Sequence, residues 1–183
     1  MYVIISLGDN MKVFFHTLGC KVNQYETQEM REQLKKNGYE ITDDETEASV
    51  FVINSCTVTS ESDRKTRQCV RHYKKKYPES VVVLTGCMPQ SFPQMAQDLT
   101  EADIVLGNKN NKLLVSSLNE YFSASCRVLH MEQHQNNEPL VSSGISDFEE
   151  RTRATLKIED VMVLMQEIFK ERLKFVSLIL RDQ

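Results

Sequence analysis

Three cysteines each follow an apolar segment of the chain within a few residues. Cys20, Cys56 and Cys87 come after residues 12–16, 50–53 and 81–84, which read KVFFH, VFVI and VVVL. Thiolates are the preferred ligands of iron-sulfur clusters, and three of them without a histidine suit a 4Fe-4S cluster with one open iron position. The three cysteines therefore predict an iron-sulfur site if the fold brings them together.

These residues alone leave other interpretations of the cysteines open. Free cysteines are among the most buried residue types and often only fill space. A structural zinc ion with His16 as its fourth ligand is a second alternative and a redox disulfide a third, although the Cys-x-x-Cys spacing typical of both is missing. Cys69, within a predicted helix, and Cys126, after the last helix of the domain, are interpreted as packing or bystander residues.

Strand and helix patterns alternate along the first two thirds of the chain. The three apolar segments are typical of buried strands, and a fourth, 104–106, ends at Gly107. The first helix is predicted with Asn23 as N-cap, Glu26 as capping-box partner and Gly38 as C-terminal stop. Further helices are predicted from Thr59 to near Pro78, at 94–99 and at 111–122.

This alternation predicts an α/β fold, an open and mainly parallel sheet with helices on both faces. The carboxyl ends of parallel strands lie along one edge of the sheet, where ligands bind in this architecture. We therefore expect the three thiols in one crevice, with Gly19 and Gly86 permitting the close backbone approach of a cluster. Asn54 and Ser55, expected in the loop before Cys56, are candidate hydrogen-bond donors to cluster sulfides.

The composition places the chain among ordinary soluble proteins. It has 183 residues, of which 40% are hydrophobic and 26% charged. Residues 1–10 lack the basic stretch and cleavage site of a signal peptide, so a cytoplasmic protein without a membrane partner is predicted. The net charge of −4 argues against binding nucleic acid by bulk charge alone. Five cysteines, an odd number, disfavour a disulfide framework.

The residues around the three cysteines resemble a known family. Residues 17–26 (TLGCKVNQYE), 53–59 (INSCTVT) and 84–90 (LTGCMPQ) closely resemble the N-terminal domain of radical-SAM methylthiotransferases. The first motif is most similar to the branch that acts on threonylcarbamoyladenosine in tRNA. The resemblance covers about residues 11–160, and three ordered motifs make it specific.

The resemblance implies ligands, cofactors and partners. An auxiliary 4Fe-4S cluster, bound by Cys20, Cys56 and Cys87, would supply or carry the sulfur of the methylthio group. A second 4Fe-4S cluster, on a Cys-x-x-x-Cys-x-x-Cys motif, would bind S-adenosylmethionine and generate the radical that activates the base carbon. The implied partners are tRNA as substrate and a sulfur donor. The residues expected to line the auxiliary cluster are Asn23, Asn54 and Ser55.

The chain departs from the family pattern beyond residue 150. The second cysteine motif should follow a strand such as 156–160 (LKIED), but residues 161–165 read VMVLM and no cysteine follows Cys126. A truncated product or an internal deletion would explain this, and we expect the chain to be inactive alone. The predicted organisation is an N-terminal extension at 1–10, a cluster-binding domain at 11–129, a linker at 130–150 and an incomplete, divergent radical-SAM barrel at 151–183. Met11 is an alternative start of the protein.

One predicted helix carries the most concentrated positive charge. Its cations could contact tRNA phosphates, but runs of charge more often form a solvated helix face, which is the interpretation we favour. Tyr73 and Tyr77, between these cations, are expected either at that interface or packed on the sheet. The candidate RNA contacts are Arg64, Lys65, Arg67, Arg71 and Lys74.

Two functional hypotheses follow. The chain is either the auxiliary-cluster domain of a methylthiotransferase or a non-enzymatic α/β module with structural cysteines, and cluster content distinguishes them. A different enzyme on a flavodoxin-like fold is disfavoured because the chain has no glycine-rich phosphate loop.

Overall fold

The computed structural model describes residues 11–57 and 60–132. The predicted N-terminal extension, the barrel remnant and nearly all of the predicted linker lie outside these residues. The elements in chain order are β1 (Lys12–Thr17), α1 (Lys21–Lys36), β2 (Glu40–Thr42), β3 (Val50–Ser55), α2 (Ser60–Lys76), β4 (Val81–Gly86), α3 (Cys87–Ser91), α4 (Pro93–Asp98), β5 (Ile104–Leu106), a 3-10 helix (Asn108–Leu113), α5 (Leu114–Ala124) and β6 (Val128–His130).

The strands form one six-stranded sheet in the order β2-β1-β3-β4-β5-β6, and every pairing is parallel. The predicted α/β fold with a parallel sheet is therefore confirmed. After β2 pairs on one side of β1, the chain crosses to the other side and all later strands extend in that direction. This reversal between β1 and β3 marks the position where doubly wound sheets bind ligands.

Both faces of the sheet are covered by apolar packing. Val50 and Val52 of β3 point into a core formed with α1 and α5, whereas Phe51 and Ile53 point into a second core formed with α2, α3 and α4. The alternation arises because successive side chains of a strand project to opposite faces. Burial on both sides explains why the central strands are continuous apolar runs.

Two strands continue beyond the point at which their apolar residues end. Asn54 and Ser55, expected in a loop, are the last residues of β3, so that part of the prediction is wrong. They pair in register with Thr85 and Gly86 at the end of β4. The backbone ladder does not require apolar side chains, and pairing therefore carries polar residues into the buried end of the sheet.

The first helix starts earlier than predicted. It begins at Lys21 with Cys20 as N-cap, and the side chain of Asn23 closes the capping box, so the assignments of Asn23 as N-cap and of Glu26 as capping-box partner are both wrong. Its predicted stop is confirmed, because Gly38 has a φ of +86° and directly follows the C-cap. The amide of Gly38 donates to the Lys35 carbonyl and that of Tyr39 to the Leu34 carbonyl, the paired bonds of a Schellman motif.

The two outer strands of the sheet, β2 and β6, were not predicted from the sequence. β2 and β6 have three residues each and are largely polar or part-exposed, so they lack an apolar run. β6 ends at His130, one residue past the predicted end of the domain.

The helix predicted at 111–122 starts as the 3-10 helix and becomes α-helical from Leu114. None of the helices in the described parts of the chain is long and apolar enough to cross a membrane.

Candidate functional site

The three motif cysteines lie at the carboxyl ends of three neighbouring strands. Cys20 follows β1 after a two-residue loop, while Cys56 directly follows β3 and Cys87 directly follows β4. Because β1, β3 and β4 are adjacent in a parallel sheet, all three cysteines are at the same edge. That edge includes the reversal between β1 and β3, where doubly wound sheets bind ligands.

The cysteines differ in their accessibility. Cys20 is exposed, Cys87 is half-buried and Cys56 is only 6% exposed. None of the five cysteines forms a disulfide. The site therefore has a buried thiol at the end of the central strand and more accessible thiols on the two flanking segments.

The two glycines that precede Cys20 and Cys87 allow these segments to touch the end of β3. Gly19 has a φ of +151°, and a methyl carbon built on it would lie 2.7 Å from Cys56 Cβ. Gly86 has a φ of +98°, and a methyl carbon there would overlap the Ser55 backbone and Asn54 Oδ1. Gly19 and Gly86 were expected to let the backbone approach a cluster closely. In the structure, they let the backbone approach the end of β3 instead.

Asn23 connects the first cysteine loop to β3. Its Oδ1 accepts hydrogen bonds from the Cys20 amide at 3.2 Å and the Cys20 thiol at 3.4 Å. Its Nδ2 donates to the Ser55 carbonyl at 3.0 Å and to Asn54 Oδ1 at 3.1 Å. The side chain is fully buried, and each of its polar atoms has a partner. Asn23 therefore caps the start of α1 and also joins the Cys20 loop to the end of β3.

Asn54 and Ser55 are also committed to protein partners. Asn54 Nδ2 donates to the Asn23 carbonyl at 2.8 Å and to Thr27 Oγ1 at 3.1 Å. Ser55 Oγ donates to the Thr85 carbonyl at 2.6 Å and accepts the Met88 amide at 3.2 Å. Their expected role as donors to cluster sulfides is not supported, because these donors are already used.

Sequence reasoning missed Thr27 and Thr85 as members of this buried network. Thr27 Oγ1 also bonds Thr17 Oγ1 at 2.8 Å, which ties α1 to the end of β1. Thr85 is fully buried, and its hydroxyl bonds Asn111 Oδ1. The available signal was the set of polar residues at helical spacing on the buried face of α1, which includes Asn23 and Thr27.

The geometry disfavours a zinc site. Within residues 11–57 and 60–132, no three His, Cys, Asp or Glu side chains converge closely enough to hold one metal ion. His16, the suggested fourth ligand, instead bonds the Tyr73 hydroxyl through Nδ1 at 2.9 Å, and burial lowers its pKa below 6.5. The thiolates of a 4Fe-4S cluster bind different irons, so they need not converge on a single point. The donor type, three thiols at neighbouring strand ends without a histidine, is compatible with such a cluster.

The remaining two cysteines lie elsewhere. Cys69 is on α2 within the core beneath that helix, and burial raises the pKa of its thiol to about 12. A thiol that stays protonated is a poor ligand and nucleophile. Cys126 is exposed between α5 and β6. The separation of these cysteines from the three motif cysteines agrees with their interpretation as packing or bystander residues.

The basic residues of α2 are largely paired with carboxylates. Arg71 bonds Glu101 at 3.0 Å, and Lys74 bonds Asp103 at 2.8 Å. Arg64 and Lys65 both lie near Glu61, at 2.6 and 4.0 Å, whereas Arg67 contacts Met95 Sδ at 3.0 Å. These pairs reduce the net positive charge of the helix surface and agree with a solvated face rather than an RNA-binding face.

The two tyrosines of this helix pack on the sheet, as one interpretation expected. Phe51 of β3 stacks on Tyr73 with ring centroids 4.5 Å apart and on Tyr77 at 5.0 Å. They therefore belong to the core between α2 and the sheet.

Comparison with known proteins places this domain in a family. The model of Uncharacterized protein family UPF0004 matches residues 12–107, just over half of the chain and all three motif cysteines. The chain belongs to this family. The chain is also similar to several threonylcarbamoyladenosine tRNA methylthiotransferases named MtaB, so the resemblance to methylthiotransferases is confirmed.

The similarity to these relatives is limited to part of their length. The chain is 36% identical to the MtaB protein of Bacillus subtilis and 35% identical to that of Thermotoga maritima, each over 148 residues. Identity to the Aquifex aeolicus protein is 43% over 111 residues. The matches to the Bacillus and Thermotoga proteins each cover 81% of this chain but 33% of the relative. The match to the Aquifex protein covers 61% of this chain and 27% of the relative. The chain thus spans about a third of the length of these proteins.

Proposed function

We propose that the UPF0004 domain of this chain binds an auxiliary 4Fe-4S cluster through Cys20, Cys56 and Cys87. In this proposal, the domain serves the cytoplasmic conversion of threonylcarbamoyladenosine in tRNA to its 2-methylthio derivative. The observation that carries the proposal is the placement of three family-motif cysteines at the carboxyl ends of three adjacent parallel strands. Ligands bind at this edge in doubly wound sheets.

The residues of the chain would divide the work of the site between them. Cys56 would anchor the cluster at the buried end of β3, and the more accessible Cys20 and Cys87 would hold it from both sides. When bound, the cluster would supply or carry the sulfur that is transferred. The exposed position of Cys20 leaves the solvent side of the site accessible to a sulfur donor and to tRNA.

Radical chemistry requires ligands that these 183 residues do not contain. No cysteine follows Cys126, so the second 4Fe-4S cluster and S-adenosylmethionine have no Cys-x-x-x-Cys-x-x-Cys motif here. We therefore expect these 183 residues alone to show no methylthiotransferase activity. Contact between α2 and tRNA stays a prediction, and its ion pairs argue for a weak contribution.

Anaerobic reconstitution of the 183-residue chain with iron and sulfide tests the proposal. Iron and sulfide content, visible absorption and EPR would be compared among single Cys→Ala variants of all five cysteines. We expect about four irons per chain, lost when Cys20, Cys56 or Cys87 is replaced. Cys69→Ala and Cys126→Ala are the matched controls and should retain the iron.

Two results would contradict the proposal. Failure of the wild-type chain to bind iron, or binding of zinc alone, would favour the non-enzymatic module with structural cysteines. Equal iron loss in the control variants would show that the iron is bound nonspecifically.

A further inference from the structure

The three cysteine-bearing segments are joined by a small set of fully buried side chains. We call Asn23, Asn54 and Ser55 the polar bridge. All three are 0% exposed, and they lie between the segment of Cys20, the end of β3 and the segment of Cys87. Buried polar groups whose hydrogen bonds are all satisfied hold one arrangement of the chain, because any other arrangement leaves groups unpaired.

The first half of the polar bridge fixes Cys20 relative to Cys56. Asn23 accepts from the Cys20 amide and donates to the carbonyl of Ser55, the residue directly before Cys56. The backbone adds one bond, from the Leu18 amide to the Asn54 carbonyl at 2.8 Å. A displacement of the Cys20 loop from β3 therefore leaves the buried amide of Asn23 without its acceptors.

The second half fixes Cys87 relative to Cys56. Ser55 Oγ donates to the carbonyl of Thr85 and accepts the amide of Met88. These two partners lie on either side of Cys87 along the chain, with only Gly86 and Cys87 between them. One hydroxyl therefore binds the chain on both sides of Cys87, at the end of β4 and in the first turn of α3.

We propose that Asn23 and Ser55 are positioning residues that set the placement of the three thiols before any ligand binds. The inference rests on the proposed cluster-binding function for its purpose, but it concerns the arrangement of the thiols in the protein without the cluster. The competing view is that Asn23 only caps α1 and Ser55 only fills the core. The two views differ because the polar bridge predicts pairwise effects on specific cysteines.

Asn23→Asp separates the two roles of Asn23. The aspartate keeps an oxygen that accepts the Cys20 amide at the start of α1, but an ionised carboxylate cannot donate to Ser55 or Asn54. Ser55→Ala removes the bonds around Cys87 and leaves the Cys20 loop unchanged. The matched controls make the same changes elsewhere, namely Asn37→Asp at the other end of α1 and Ser117→Ala at a fully buried hydroxyl on α5.

The measurement is intramolecular crosslinking of thiol pairs by dibromobimane in the full chain without cluster. Each background retains two of the motif cysteines, either Cys20 with Cys56 or Cys56 with Cys87, and the other cysteines are replaced by alanine. We expect Asn23→Asp to slow the first crosslink about tenfold and the second less than about twofold, with the reverse pattern for Ser55→Ala. Both controls should stay within about twofold for each pair.

A second readout follows the cluster itself. In the reconstituted five-cysteine chain, both variants should release iron to a chelator about tenfold faster than their controls. If Asn23→Asp prevents folding, as judged by circular dichroism, Asn23→Ser keeps a short acceptor for the Cys20 amide and also lacks the amide donors.

The outcomes separate this inference from the proposed function. Equal slowing of both crosslinks, no slowing, or no crosslink in the parent pairs would overturn the positioning role. Crosslinks that follow the expected pattern in a chain that binds no iron would support the positioning role and reject the proposed cluster. Iron binding without the pairwise pattern would retain the cluster and reject the positioning role.

Discussion

Replacing Gly86 by alanine should destabilise the protein strongly. The glycine has a φ of +98° and a ψ of −154°, a backbone conformation that costs an L-residue with a side chain about 1–3 kcal/mol. The new methyl carbon would also lie 2.7 Å from the Ser55 amide nitrogen and would overlap the Ser55 carbonyl oxygen. These are backbone atoms of a central strand, so they cannot move aside without breaking the pairing of β3 and β4.

The expected loss is the sum of these two effects. Forcing an extra methyl group into a packed site costs about 1–3 kcal/mol, which brings the total to about 2–6 kcal/mol. Urea denaturation of the full chain, followed by circular dichroism, would measure it. With a slope of about 2 kcal/mol per molar urea, the midpoint should fall by about 1–3 M.

Gly107→Ala is the matched control. Gly107 has a φ of −65°, and the atom that its methyl group would meet is the terminal Oε1 of Gln90, at the end of a flexible side chain. The gain in chain rigidity and the disturbance of Gln90 each amount to less than about 1 kcal/mol and partly cancel. If the two variants unfold within about 0.5 M urea of each other, the close contact between Gly86 and β3 is absent and the reasoning fails.

Three further predictions concern stability away from the cysteines. Burial lowers the pKa of His16 below its unfolded value of 6.5. The contribution of the neutral imidazole to stability should therefore be fully present above pH 6.5 and should be lost as the pH falls towards the folded-state pKa. His16→Gln should flatten that part of the pH profile of the urea midpoint, whereas the exposed His72→Gln should retain it. Arg127→Lys keeps the charge but should lower the free energy of unfolding by about 2–4 kcal/mol in urea denaturation. The guanidinium donates to four backbone carbonyls, which one ammonium group cannot reach together. A loss below about 1 kcal/mol would show that the charge alone is sufficient. Asp103→Ala should lower the free energy of unfolding by about 2–4 kcal/mol and Asp103→Asn by clearly less. Asparagine can still accept the hydrogen bond from the Val82 amide, whereas alanine cannot. Equal losses would assign the effect to the lost ion pair with Lys74.

The central strands could be predicted from sequence because each is buried on both faces. Val81–Leu84 is a continuous apolar run, and its place in the sheet follows from burial alone. The edge strand β2 contains Glu40 and Thr42 and is at most half-buried, so hydrophobicity carries no signal for it. Its pairing with β1 depends on the return of the chain after α1, which no local pattern encodes.

The placement of the cysteines was predictable, but the contacts that hold them were not. Strand-then-cysteine order and parallel topology were sufficient to bring Cys20, Cys56 and Cys87 to one edge of the sheet. The bond between Asn23 and Asn54 joins residues 31 positions apart, and each residue taken alone has a common local role as a cap or a loop residue. Only the register of β1 and β3 determines that the two amides meet.

The buried polar network has a consequence for the order of folding and ligand binding. Many small metal sites have no structure without the metal, so their binding free energy is also their folding free energy. Here the sheet is stabilised by apolar cores on both faces, and hydrogen bonds of Asn23 and Ser55 connect the cysteine segments to the end of β3. If Asn23 and Ser55 have the proposed positioning role, the arrangement of these segments does not depend on a ligand for its stability. In the proposed cluster-binding function, little order would have to be created on binding, so most of the free energy of forming iron–thiolate bonds would appear as affinity. The cost is a set of buried polar side chains at one edge of the sheet, each of which must keep its partner, and this makes the end of β3 the part of the domain least tolerant of substitution.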